Sequence, residues 1–148
     1  MPYLIGQLKF NHQYKNARLL AGLLGQYIAD SAELPDCIVP MPLHINRYRE
    51  RGFNQSIEIA RHLSAQLDIP SEVRHCRRLR DTVHQTSLPA KQRLKNMHKA
   101  FSIEKNLNFQ HVAIIDDVMT TGASASALAQ ALKQNGVNRV DVWVCARA

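Results

Sequence analysis

The chain has 148 residues, 45% of them hydrophobic, which is enough for one domain with a core of its own. Its 19 basic and 12 acidic side chains leave a formal charge of +7, a balance that favours polyanions, nucleic acid and phosphorylated metabolites alike. Several classes are excluded: Cys37, Cys76 and Cys145 form no CxxC, the seven histidines show no HxxxH spacing, and the most apolar helix-like piece, Leu19 to Gly25, is too short to span a bilayer. Pro2 to Phe10 lacks the regions of a signal peptide, so a cytoplasmic protein with reduced thiols and no membrane partner is expected.

In chain order, a short amphipathic segment from Ile5 to Phe10 precedes a helix predicted from about Tyr14 to Ala29. Ala17, Leu20, Ala21, Leu24, Tyr27 and Ile28 fall on one face of that helix. Gly22 and Gly25 weaken it by roughly 1 kcal/mol each relative to Ala unless another element comes close. Cys37 to Val39 reads as a strand running into Pro40, Met41, Pro42 and Leu43, where the prolines impose a loop. That loop is expected to continue from His44 to Gln55, with Arg47, Arg49 and Arg51 at alternate positions. Asn54 then caps a helix to about Leu67 whose Ile57, Ala60, Leu63 and Leu67 turn inward. A stiffened strand end, an arginine-rich loop and a capped helix start describe either an anion site or a solvated basic loop.

After Pro70, Glu72 to Cys76 is a strand candidate, and residues 77–88 are polar enough to be read as a mobile surface loop. A short helix follows from Pro89 to about Met97, then a strand from Lys99 to Ile103 and a polar turn from Glu104 to Gln110. Val112 to Ile115 is wholly apolar, as in a strand covered on both faces of a parallel sheet, and Asp116 and Asp117 arrive together where it is expected to end. Adjacent carboxylates repel, so a cleft that supplies a cation or hydroxyl donors is their expected setting. Thr120, Thr121 and Gly122 lead into a helix from Ala123 to Gln134 with Ala127, Leu128, Ala131 and Leu132 inward and Gly136 as its cap. Hydroxyls, a glycine and a helix N-terminus make a phosphate cradle. Val140 to Cys145 is the last strand. The order predicts an α/β fold, a doubly wound parallel sheet in one domain spanning residues 1–148, with ligands beyond the carboxyl ends of the strands.

The run from Val112 to Ser124 resembles the phosphoribosyl pyrophosphate (PRPP) motif of type I phosphoribosyltransferases. That resemblance implies the type I phosphoribosyltransferase fold, with Asp116 and Asp117 at the catalytic position holding the ribose hydroxyls. Thr120, Thr121, Gly122, Ala123 and Ser124 are then the loop around the 5′-phosphate. Val39 to Leu43, followed by Arg47, Arg51 and Gly52-Phe53-Asn54-Gln55, is similar to the signature of the ComF/GntX competence-protein family at the position of a pyrophosphate loop. Arg47 and Arg51 are accordingly the pyrophosphate candidates. The pattern Arg78, Thr82, Gln85, Leu88, Arg93 and Asn96 also matches, at the place of a flexible catalytic loop that includes Arg80. Such proteins usually carry a cysteine-rich zinc ribbon just before the segment matching Ile5 to Phe10, and this chain starts four residues before Ile5.

The resemblance implies a PRPP-binding protein with Mg²⁺ as cofactor, the metal meeting Asp116 and Asp117 indirectly through PRPP, and a role in DNA uptake during natural transformation. Displacement of pyrophosphate from the ribose anomeric carbon is the chemistry such a site supports. No general base and no acceptor are identifiable from the residues, and a non-catalytic basic module that binds single-stranded DNA weakly, or a competence partner, is the rival expectation.

Overall fold

The computed structural model describes residues 14–31, 33–81, 99–104 and 107–147. The segment Ile5 to Phe10, the helix predicted from Pro89 to Met97, Thr82 and Gln85 lie outside them. Helix α1 (Tyr14–Ser31) buries Ala17, Leu20, Ala21 and Ile28, the stripe that a 3.6-residue period lays along one side. Tyr27, expected on that face, is instead 72% exposed. Seven residues after Leu20, it lies at the margin of the stripe, on the side away from Ala21 and Ile28.

Strand β1 (Cys37–Pro40) is buried throughout and pairs in parallel with β4 (His111–Met119), which pairs in parallel with β5 (Arg139–Arg147). The sheet order is β1-β4-β5. Pro40 ends β1 rather than following it. The amide of Ile38 reaches outward to Pro70 O, whereas that of Met41 reaches Ile115 O, so alternation turns the Pro40 nitrogen to the side where β4 needs no donor.

A helix replaces the first part of the loop expected from His44 to Gln55. Helix α2 (Ile45–Arg51) is closed at its start by His44 Nδ1, which accepts from Asn46 N at 3.3 Å. At its end Gly52 adopts φ 76° and donates its N–H to Tyr48 O at 2.7 Å, a left-handed cap that strains any side chain. Helix α3 (Gln55–Leu67) begins at the cap expected of Asn54 and buries Ile59, Ala60 and Leu63. It lies against α1, where a Cβ on Gly25 would come within 2.5 Å of Gln66 Oε1.

The strand expected from Glu72 to Cys76 is displaced, and residues 77 and 78 are not loop. Strand β2 (Cys76–Arg78) pairs antiparallel with β3 (Phe101–Ile103), and Leu79 N extends the ladder to Ala100 O. Polar composition hid this because only Cys76 and Phe101 are fully buried, with Ile103 packed partly against the same core, while Arg77 faces solvent. Helix α4 (Ala123–Gln134) buries Ala125, Leu128 and Leu132 and is followed by Gly136 in the left-handed region, as expected.

Two apolar layers flank the sheet. Ala113, Ile115 and Trp143 meet α1 and α3 on one side; Val112 and Ile114 meet α4 and the β2–β3 pair on the other. The segment after β1 thus covers one face and the helix after β4 the other, which is the doubly wound arrangement. Between β1 and β4 the chain departs to opposite faces, and a crevice opens at their carboxyl ends.

Candidate functional site at the carboxyl edge of the sheet

The Asp116–Asp117 pair lies inside β4, not past its end. Strand β5 supplies ladder partners as far as Met119, opposite Arg147, whereas β1 stops at Pro40, opposite Ile115. Residues 116–119 therefore have the crevice where β1 would continue. Their carboxylates are held locally: Asp117 N donates to Asp116 Oδ1 at 2.9 Å and Val118 N to Asp117 Oδ1 at 2.8 Å. Asp117 is 7% exposed. From the opposite wall the buried Ser56 hydroxyl, in the first turn of α3, donates to Asp116 Oδ1 at 3.4 Å. The nearby Cys145 thiol is pushed up to about 12 by burial first and then by the charges of Asp117 and Asp116.

The Thr-Thr-Gly turn follows β4. Gly122, the N-cap of α4 with φ 76°, has no side chain with which to cap the helix, and the first backbone N–H groups face the turn. Thr121 Oγ1 accepts from Ala123 N at 3.4 Å; Thr120 and Thr121 are exposed and Ser124 is half-buried. These are donors grouped at the positive end of a helix, as an anion requires.

Arginines close the other side. In helix α2 the positions of Arg47 and Arg51 are one turn apart, and both are partly buried while Arg49 is exposed, which separates three arginines that looked equivalent in an extended loop. Arg47 pairs with Glu50 at 3.5 Å and with Asp81 at 3.7 Å. Arg78, expected on a mobile loop, is the last residue of β2. Its guanidinium lies over the Phe101 ring at 5.4 Å, reaches Ser124 Oγ at 3.5 Å and donates from Nε to Arg80 O at 3.2 Å. Burial lowers its pKa and the charge of Arg47 acts the same way, while Asp81 and Asp116 oppose both. That response connects Arg47, Arg78 and Asp116 across the crevice. Arg80 is exposed beyond the strand.

Three contributors were not singled out from sequence: Ser56, Asp81 and the second function of Asn54. Asn54 Oδ1 caps α3 by accepting from Ser56 N at 2.9 Å, and its Nδ2 donates to Met41 O at 3.0 Å. One buried amide thus ties the proline loop after β1 to the helix that presents Ser56. The cap signature was visible; the tether to Met41 needed the fold.

Among the described residues no group of three or more His, Cys, Asp or Glu is arranged to hold a metal ion, and no helix is long and apolar enough to cross a membrane. Cys37, Cys76 and Cys145 are free thiols, the first two buried.

No protein-family model matches the chain. It is 37% identical to competence protein F of Haemophilus influenzae over an alignment covering 100% of this chain and 68% of that protein. It is likewise 37% identical to DNA utilization protein YhgH of Salmonella typhimurium, covering 99% and 67%. Among solved structures, the B. subtilis glutamine PRPP amidotransferase superposes with a TM-score of 0.59 at 19% identity, covering 87% of this chain and 26% of that one. An adenine phosphoribosyltransferase superposes with a TM-score of 0.56 at 17% identity, covering 95% and 73%. At these identities the likeness is one of fold, and the fold is that of the type I phosphoribosyltransferases.

Proposed function

This chain belongs to the family of competence protein F and DNA utilization protein YhgH, and from that premise we propose that it binds PRPP with Mg²⁺ at the crevice between β1 and β4. The observation that carries the reading is the convergence on one crevice of a carboxylate pair, an anion-binding helix start and arginines from two further elements. Asp116 and Asp117 accept hydrogen bonds from the ribose hydroxyls. The turn from Thr120 to Ser124, with the first N–H groups of α4, encloses the 5′-phosphate. Arg47 and Arg51, joined by Arg78 from β2, neutralise the diphosphate.

Magnesium fits this donor set only in part. Two adjacent carboxylates already engaged by Ser56 and by main-chain amides would not hold Mg²⁺ by themselves, so Asp116 and Asp117 would meet the ion through the bound ligand. When bound, the ion offsets negative charge on the diphosphate. The chain's own contribution to phosphoribosyl transfer is to fix the sugar by Asp116 and Asp117 and to draw the leaving diphosphate toward the arginines, stabilising charge as it develops.

Differential scanning fluorimetry tests the reading. A ligand at 100 times its dissociation constant adds about 2.7 kcal/mol, or roughly 5 to 11 °C for a domain of this size. PRPP with Mg²⁺ is expected to raise the midpoint by that amount and ribose 5-phosphate by less. No shift at millimolar PRPP would remove the proposal. The biological setting is DNA utilisation and competence, as the names of the relatives state for those proteins. The exposed Arg74, Arg77 and Arg80 favour a second activity, electrostatic contact with single-stranded DNA.

A further inference from the structure

A cleft of about 290 Å³ lies between the loop after β1, helices α2 and α3, and the approach to β2. Pro42, Tyr48 and Ile57 contribute an apolar wall with one aromatic ring, and Arg74, Arg77 and Arg78 contribute its charge. No acidic side chain lines it among the described residues. Asn54 also borders it, but the amide is committed to Met41 O and Ser56 N.

The cleft adjoins the crevice through two shared groups. Asn54 caps the turn that carries Ser56 to Asp116, and Arg78 reaches from the cleft to Ser124 of the phosphate turn. Those two links put the cleft next to the crevice that contains Asp116. We propose that this cleft is the acceptor pocket and that it takes a small planar ring bearing a carboxylate. The proposal rests on the PRPP reading of the neighbouring crevice.

Three properties of the lining select that class. The volume is at the low end for small-molecule sites, which suits one or two rings. Guanidinium groups only donate hydrogen bonds, in a planar fork that matches a carboxylate. Without an acidic side chain, the cleft gives little return for desolvating the amino groups of a neutral nucleobase, which need acceptors. Arg77 is engaged by Glu104 at 3.1 Å, but both side chains are more than half exposed, so that pair is screened and yields readily to a ligand. In the transfer, the ring nitrogen lone pair forms the C–N bond at the anomeric carbon while the C–O bond to pyrophosphate breaks and its electron pair leaves on pyrophosphate. A pyridine-type nitrogen has no proton to release, which agrees with a lining that holds neither Asp, Glu nor His among the described residues.

The test uses an isosteric pair of probes, nicotinate and nicotinamide, titrated calorimetrically into the protein in the presence and absence of PRPP and Mg²⁺. Nicotinate is expected to bind at least tenfold more tightly than nicotinamide. Arg74→Ala/Arg77→Ala is expected to abolish that preference with an unchanged melting temperature, since Arg74 and Arg77 are exposed. Tyr48→Ala, also at an exposed position, is expected to weaken both probes equally. Equal binding of the two probes, tighter binding of adenine, or a preference that survives the double substitution overturns the pocket assignment. A PRPP-induced stabilisation measured alongside keeps the outcomes apart. PRPP binding without carboxylate preference sinks the pocket and leaves the crevice reading standing, whereas carboxylate preference without PRPP binding sinks the acceptor role together with the crevice reading.

Discussion

Asp117 is almost fully enclosed, and its Oδ1 takes the Val118 amide at 2.8 Å; Asp116 Oδ1 takes the Asp117 amide and the Ser56 hydroxyl. Asparagine retains an oxygen at the same position, so Asp116→Asn and Asp117→Asn keep these local contacts and lose only charge. Hydrogen bonds to a charged group contribute about 1.5 to 3 kcal/mol, which corresponds to PRPP affinity falling about 10- to 100-fold in each variant. Calorimetric titration measures this. Unchanged affinity in the double variant takes the pair out of the site. Asp36 belongs at this scale as well. Main-chain amides of His111, first, and Gln110 donate to its carboxylate and hold its pKa below the usual value. A depressed folded pKa means that the contribution is fully present above the unfolded value, near 3.9, and is lost as pH falls through the folded one. Asp36→Asn is expected to lower the urea midpoint by a constant amount between about pH 5 and 7, with the gap closing below about pH 4. A gap that widens in acid contradicts the assignment.

At the scale of elements, the site depends on how α3 starts. Asn54 is buried and makes one bond to the first turn of its own helix and one to Met41 O thirteen residues back. An N-cap is worth about 0.5 to 2 kcal/mol, and an unsatisfied buried carbonyl adds about 1 more. Asn54→Ala is therefore expected to cost about 1 to 3 kcal/mol by urea denaturation, and to weaken PRPP binding although Asn54 is not assigned a ligand contact, because Ser56 and the Pro42 loop both shift. Loss of stability with PRPP affinity intact would show that the tether is structural alone. The β2–β3 pair matters equally, since it places Arg78 beside Ser124 and Phe101 beneath the guanidinium.

For the whole molecule, a charge of +7 is the relevant quantity. Arg74, Arg77 and Arg80 are exposed around β2, and the basic residues Lys91, Arg93 and Lys95 lie in sequence between β2 and β3, outside the described residues. Neutralising several phosphates yields affinity that falls steeply with salt and depends little on sequence. No Phe, Tyr or Trp occurs between Phe53 and Phe101 to stack unpaired bases. Fluorescence anisotropy across a salt series is expected to show weak oligonucleotide binding that disappears at high salt and is reduced by PRPP. Tight binding that persists at high salt would reveal a specific nucleic-acid surface instead.

The sequence by itself determined the parallel α/β architecture and the stretch from the acid pair to the Thr-Thr-Gly turn, because both rest on local signals. An apolar four-residue run, an acid pair, a Thr-Thr-Gly turn and a helix period are written in consecutive residues, and so is the Asn54 cap. Tertiary structure decided what depended on partners distant in the chain. Strand β4 continues through Asp117 to Met119 because β5 is long enough to pair with it. Arg78 is fixed in a strand because Phe101, 23 residues later, provides both a ladder partner and a ring. Helix α2 was concealed because seven polar-rich residues carry little periodicity; its formation depends on caps from His44 and Gly52 and on the site of Arg47 between Glu50 and Asp81. Ladder pairing, ring contact and a carboxylate thirty-four residues away leave no mark on the segment that receives them, so only the folded chain assigns Arg47 and Arg78 to one crevice with Asp116.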